Sequence, residues 1–334
     1  MVTDKLQLFF HQDFDGICSA AVFVACAKKR GLLDCRQVVL SPVDYGLKQA
    51  WAASELPRAS AIVDFCITFE PIGGSTITRP RLFGKNGRRP LSTDSRHVWD
   101  TRYKSCPRLV LDSMASSDIH QDLSTQFRDH LYWSDVIDAA EYASPKQVVE
   151  SEEPALQINL SLATDRTSDY LNFLVGCLKE RSLSEVANTQ EVASRFFRAM
   201  QWQKQAIAYM EKVGEVRNGV AFFDLTEKSE FFYRYGPYYL WPDTRFAVAV
   251  YRNGRNWKVT VSSSPWLRFR GPDLSLLCES YGGEGHPQVG GILAPNRRRA
   301  IGIGQEIVRV LRGETAYTEH LPFRQRPIED ERIG

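Results

Sequence analysis

The chain has 334 residues, 43% of them hydrophobic and 25% charged, with a formal net charge of +2. That length holds two domains with cores of their own, and a phosphate-binding groove needs only local basicity, so the near-neutral charge does not exclude a nucleic-acid partner. Seven scattered cysteines without a CxxC pair exclude a zinc ribbon or a disulfide framework and fit a reducing compartment. No eighteen-residue apolar run and no signal-peptide pattern is present, so the expectation is a soluble, cytoplasmic protein with no membrane partner.

In chain order, Leu6, Leu8, Phe9 and Phe10 predict a buried strand that ends in His11-Gln12-Asp13-Phe14-Asp15-Gly16. Residues 17–26 predict an apolar helix, closed by Lys28, Lys29, Arg30 and Gly31. Three metal-ligating side chains therefore sit on a turn between a strand's carboxyl end and a helix, where open α/β sheets build their sites. Imidazole with carboxylates suits manganese, zinc or iron, and carboxylates alone also suit magnesium. The plainer alternative is an acidic helix N-terminus favoured by the helix dipole.

Residues 36–40 predict a second strand, 47–55 a short helix, and 60–66 a third strand with Asp64 near its end. Strand, helix, strand is a parallel α/β pattern, and parallel strands all end on one edge. Asp64 is thereby expected beside the 11–15 turn. Residues 68–91 are rich in Gly, Pro and Arg and lack apolar periodicity. Helices follow at 105–115, 118–130 and 131–142; in the last, Asp135 and Asp138 share a face. Further helices are predicted near 168–180 and 189–213.

From residue 217 the pattern turns to strands, at 220–225, 245–251 and 257–262, with a hairpin signal in Arg252-Asn253-Gly254-Arg255. Tyr233, Tyr235, Tyr238, Tyr239 and Trp241 crowd the connection and are read as packing rather than as a base-stacking platform. A helix at 273–280, a glycine-dense loop at 281–291, a strand near 290–294 and a helix at 297–312 complete the pattern. In that loop Gly282, Gly283, Gly285, Gly290 and Gly291 let backbone amides approach an anion, and His286 adds an imidazole.

The fold class expected is α/β with two domains: an N-terminal parallel-sheet domain over 1–185 and a smaller mixed-sheet domain over 217–313. Residues 186–216 form the connecting helix, and 314–334 an extended tail. The two strings HxDxDG and Gly282-Gly283-Glu284-Gly285-His286, in this order, resemble the DHH phosphoesterases with a C-terminal DHHA1 domain. RecJ-type exonucleases, nanoRNases and related phosphatases belong to that group. The resemblance spans roughly 5–313.

What the resemblance implies is a hydrolase that cleaves short oligonucleotides or small phosphorylated nucleotides by a two-metal mechanism, with Mn2+, or Mg2+ in its place. His11, Asp13 and Asp64 would hold one ion; Asp15, Asp64 and Asp135 would serve the other, with Asp138 in reserve. Asp64 and Asp135 are the implied catalytic carboxylates. Gly282, Gly283, Gly285 and His286 would hold the substrate across an interdomain cleft. Two departures stand out. Glu284 replaces a usual glycine, and no Asp-His-His occurs anywhere in the chain. Four readings of 68–91 stay open: divergence that removed the site, an alternative site using His97 or nearby arginines, a compensated frameshift, or a surface insert. The rival function is a degenerate relative that binds a nucleotide or nucleic acid in the cleft without cleaving it. An aminoacyl-tRNA-related domain is a third class, which the HxDxDG string argues against. Exposed strand edges also leave a homodimer open.

Overall fold

β1 (Leu6–His11) runs at the interior of a five-stranded parallel sheet. The computed structural model describes residues 5–32, 38–44, 60–64, 81–84, 97–100, 102–227 and 232–314. The helix expected at 47–55, most of 68–91 and the tail beyond 314 lie outside the described residues. The sheet takes the order β2–β1–β3–β4–β5, with β2 at Val38–Val43, β3 at Ser60–Val63, β4 at Arg81–Gly84 and β5 at His97–Trp99. The last two strands have no counterpart among the expected elements. They are four and three residues long, too short for any periodicity to register.

Between β1 and β2 lies α1 (Phe14–Lys29), whose residues from Phe14 to Ala27 are all buried. The cause is compositional: Ile17, Cys18, Ala20, Val22, Phe23 and Val24 leave no polar face, so the helix is enclosed on every side. It packs on β1 and against α2 (Cys106–Met114), α3 (Ser117–Gln126), α4 (Arg128–Asp138) and α7 (Ser168–Leu178). Each fully buried Ile or Phe in that core contributes roughly 1.5–3 kcal/mol. The remaining helices in order are α5 (Pro145–Glu150), α6 (Pro154–Ser161), α8 (Leu183–Ala187) and α9 (Gln190–Val213).

The chain divides into two compact units, 1–142 with 151–199 and 143–150 with the chain from 200 onward, so the division falls inside α9. The second unit holds a six-stranded mixed sheet in the order β10–β11–β9–β8–β7–β6. Its strands are β6 (Glu215–Arg217), β7 (Val220–Asp224), β8 (Phe246–Asn253), β9 (Asn256–Ser263), β10 (Glu284–His286) and β11 (Val289–Ala294). β7 and β8 are parallel and the other pairs antiparallel. The β8–β9 hairpin closes between Asn253 and Asn256 with Gly254 at φ +60°, as the Asn-Gly pair predicts. Short helices α10 (Gly236–Leu240) and α11 (Leu274–Glu279) precede α12 (Arg297–Leu311). Ala300, Ile303, Gly304, Ile307 and Val308 form the helical stripe that α12 buries on β7, β8 and β9.

The aromatic crowd packs within this second unit, apart from Tyr239, which is exposed. Tyr238 is 1% exposed and shares a 2.8 Å hydroxyl hydrogen bond with Ser262, while Tyr235 and Tyr238 meet Trp266 edge-on. Among the described residues no helix is long and apolar enough to cross a membrane.

Candidate metal centre

The register of the parallel sheet builds the site. Phe10 pairs with Val63, so the next residues, His11 on β1 and Asp64 on β3, emerge side by side at the same edge. Asp64 has φ +52°, in the left-handed region that costs most residues energy and that Asp tolerates better than bulky ones. Asp13 is the N-cap of α1: Oδ1 accepts the Gly16 amide at 2.8 Å, and Oδ2 lies 2.7 Å from His11 Nδ1. Gly16 is required here, because a Cβ would collide with the His11 carbonyl.

One ligand atom from each of His11, Asp13 and Asp64 lies within 4.8 Å of the others, and His11 Nδ1 is 3.8 Å from Asp64 Oδ2. Side-chain exposures of 18%, 38% and 12% leave the trio reachable from solvent, Asp13 the most. Burial pushes the Asp13 carboxyl up, yet the His11 hydrogen bond and charge, the Gly16 amide and Asp64 outweigh it, and its pKa falls below the ordinary value. The trio therefore offers an imidazole and two carboxylates. That donor set fits one divalent cation of the manganese, iron or zinc type. Burial, reinforced by Asp64 and Asp15, pushes the nearby Cys106 thiol well up, so no thiolate softens the set.

Among the described residues, Asp15, Asp135 and Asp138 do not join the three side chains whose ligand atoms lie within 4.8 Å of one another. Asp15 is 2% exposed, and both its carboxylate oxygens accept the Cys106 amide, at 3.2 and 3.1 Å, at the start of α2. An anion there satisfies an orphan N–H and the positive end of the helix. Asp135 accepts the Ser105 hydroxyl through Oδ1 and Arg108 Nε and Nη2 through Oδ2, at 3.2 and 3.0 Å. Asp138 is exposed at the end of α4. His97 opens β5. Cys106, which donates to Asp15, and Ser105 and Arg108, which donate to Asp135, are contacts that sequence reasoning misses. Their only sequence signal is a Ser followed by Pro107, which marks a helix start.

The glycine stretch is a β-hairpin rather than an open loop: Glu284 pairs with Gly291, Gly285 with Gly290 and His286 with Val289. Gly282 precedes it at φ +75°, and a side chain at Gly283 or Gly285 would strike the facing strand. Most of the glycine content thus serves close strand approach. Glu284, Gly285 and His286 are exposed, and the His286 imidazole makes no hydrogen bond or ion pair among the described residues.

By sequence, no family model and no curated protein matches the chain. By structure, it is similar to PggH, a pGpG-specific phosphodiesterase from Vibrio cholerae, with TM-score 0.70 and 17% identity, covering 93% of this chain and 100% of that one. It is also similar to the DHH domain of a protein described as a member of a family of ribosomal proteins (TM-score 0.56, 13% identity, 92% and 87% covered). RecJ from Thermus thermophilus in complex with Mn2+ matches with TM-score 0.54 and 12% identity; the match covers 93% of this chain and 52% of that one. The fold of this chain is therefore that of the DHH-domain proteins.

Proposed function

We propose that the chain is a divalent-cation-dependent phosphoesterase acting on a short oligonucleotide or a small phosphorylated nucleotide. One observation carries the reading: His11, Asp13 and Asp64 converge at the carboxyl edge of a parallel sheet, in a fold shared with a phosphodiesterase and with a manganese-bound RecJ. A bound cation would acidify a water and steady charge on a phosphoryl oxygen. The protein's own part is to hold His11 and Asp13 on one rigid strand–turn–helix junction and Asp64 on the neighbouring strand. Asp13 fixes the His11 ring through Nδ1. Gly282, Gly283, Gly285 and His286 in the second unit are the proposed phosphate contacts.

The test is manganese-dependent hydrolysis of a short RNA dinucleotide and of a 3′-phosphorylated nucleotide, with Asp64→Asn as control. Asparagine keeps the left-handed backbone that this position adopts. Turnover that falls at least about a hundredfold in the variant is the expected result. A folded wild-type protein that binds manganese and nucleotide but turns over neither substrate would instead establish the binding protein.

A further inference from the structure

α12 holds two glycines, two residues apart, and packing explains only one of them. A Cβ at Gly304 would strike Val250 and press on Phe222, so that glycine lets the helix lie close on the sheet. A Cβ at Gly302 would meet nothing within 4 Å, and the residue is exposed. Glycine weakens a helix interior, and nothing in the sheet below requires one at this position. The arginines pose the same question. Arg297, Arg298 and Arg299 fill the first turn, with no acidic residue among them, against the positive end of the helix dipole. Arg297 donates to Thr226 and Glu227. Arg298, Arg299 and Arg309 are exposed, and their side chains make no hydrogen bond or ion pair among the described residues.

We propose that the outward face of α12 is a docking site for the phosphate backbone of a nucleic-acid chain, separate from the glycine hairpin. Charge carries the inference first. The 15 residues of α12 include four arginines and one glutamate, a surplus greater than the +2 of the whole chain. Arg298, Gly302, Gln305 and Arg309 follow one another at spacings of four, three and four residues, which align on one side of a helix. That side lies opposite Ala300, Ile303 and Ile307, which are buried on the sheet. The two arginines stand about 16 Å apart along the axis, too far for one phosphate group, so the face suits a polymer of phosphates. Arg298 and Gly302 each line two adjoining concavities on this surface. The bare glycine there lets another backbone come close to the helix.

What the face lacks defines the partner. The apolar stripe of α12 is buried on the sheet, and Ile301 and Val310 are part-buried, so no apolar side remains to enter a bilayer. Nor does the outward face carry an aromatic or aliphatic anchor for the centre of a protein interface. A phosphate backbone needs neither. Guanidinium groups match its oxygens two at a time, and a Gln amide donates to phosphate or sugar. The position is distinct as well. α12 packs on the sheet face that carries Val259, Val261 and Ile292. His286 pairs with Val289, and Val289 with Ser262, so His286 belongs to the opposite face, where Tyr238 meets Ser262.

The inference does not use the metal centre, so it and the phosphoesterase reading can fail separately. A labelled single-stranded RNA of about twelve nucleotides is titrated with the full-length chain by fluorescence anisotropy, with a chelator present, at roughly 50 to 200 mM salt. Replacing both Arg298→Gln and Arg309→Gln should weaken binding about tenfold or more and flatten the slope of log K against log salt by about 1.4. Gly302→Leu should weaken it with no loss of melting temperature, and Glu306→Gln should tighten it. An RNA dinucleotide, too short to span the arginines, should lose nothing in the double variant. Unchanged RNA affinity and salt slope in the double variant would overturn the inference, as would a wild-type chain that binds no RNA at the lowest salt. Equal losses for the dinucleotide and the longer RNA would place the arginines at the substrate site and overturn it too. Phosphatidylserine vesicles are the last arm: binding to them without binding to RNA would assign the face to a lipid surface instead.

Discussion

His130 on α4 is 2% exposed and lies edge-on to Phe127, with ring centroids 5.2 Å apart. Burial pushes its pKa down from 6.5 to about 4, against the opposing pull of Asp129 and a backbone contact at Arg181. A ring whose folded pKa is depressed favours the fold fully above 6.5, because the unfolded chain takes up the proton first as pH falls. Stability should therefore decline between about pH 6.5 and 4, by up to roughly 3 kcal/mol. Urea melts of wild type and His130→Leu across that range check the point. The expected outcome is a flatter pH profile for the variant. At the same scale, Gly16 is the least replaceable residue of the ligand turn. Gly16→Ala drives a methyl group into the His11 carbonyl, and we expect a loss of at least about 2 kcal/mol together with weaker manganese binding, read by thermal melts and calorimetry.

At the scale of elements, β1, α1, β3, α2, the β8–β9 hairpin and α12 are legible in the sequence because each joins a clear apolar pattern to a start, turn or stop signal. The Lys28–Gly31 run, Pro107 and Gly254 are examples. β4 and β5 are not, since their pairing is decided by neighbours in the sheet and not by their own three or four residues. The site divides in the same way. His11, Asp13 and Asp64 can be read because parallel strands end on one edge. Asp15 and Asp135 are read from the same pattern, and what the structure adds is their protein partners, the Cys106 amide for one and Ser105 with Arg108 for the other. Their role at α2 makes its own forecast. Ser105→Ala removes the hydroxyl from Asp135 while leaving Arg108 in place. It should cost about 1 kcal/mol of stability by denaturant melts and leave manganese stoichiometry unchanged.

For the whole molecule, the ligand trio lies entirely in the first of two compact units, and the glycine hairpin entirely in the second. A cation that binds only the folded trio stabilises by mass action, about 2.7 kcal/mol at a hundredfold excess over its dissociation constant. That gain belongs to the first unit. Hydrogen exchange with and without manganese should show added protection in peptides from β1, α1, β3 and α2. Peptides from β8, β9 and α12 should be unchanged. Equal protection in both sets would mean that the ion's binding is coupled to the second sheet.

The pairing of Phe10 with Val63 has one more consequence. β1 carries His11 and β3 carries Asp64 just beyond their last paired residues, so the two strands work as the jaws of a caliper. Sliding β3 by one residue shifts its jaw about 3.3 Å and turns the Asp64 side chain to the opposite side of the sheet. Any lesion in β3 that loosens this alignment dismantles the aperture while every ligand residue remains in the sequence. The proposed ion site would thereby report whether two strands are aligned.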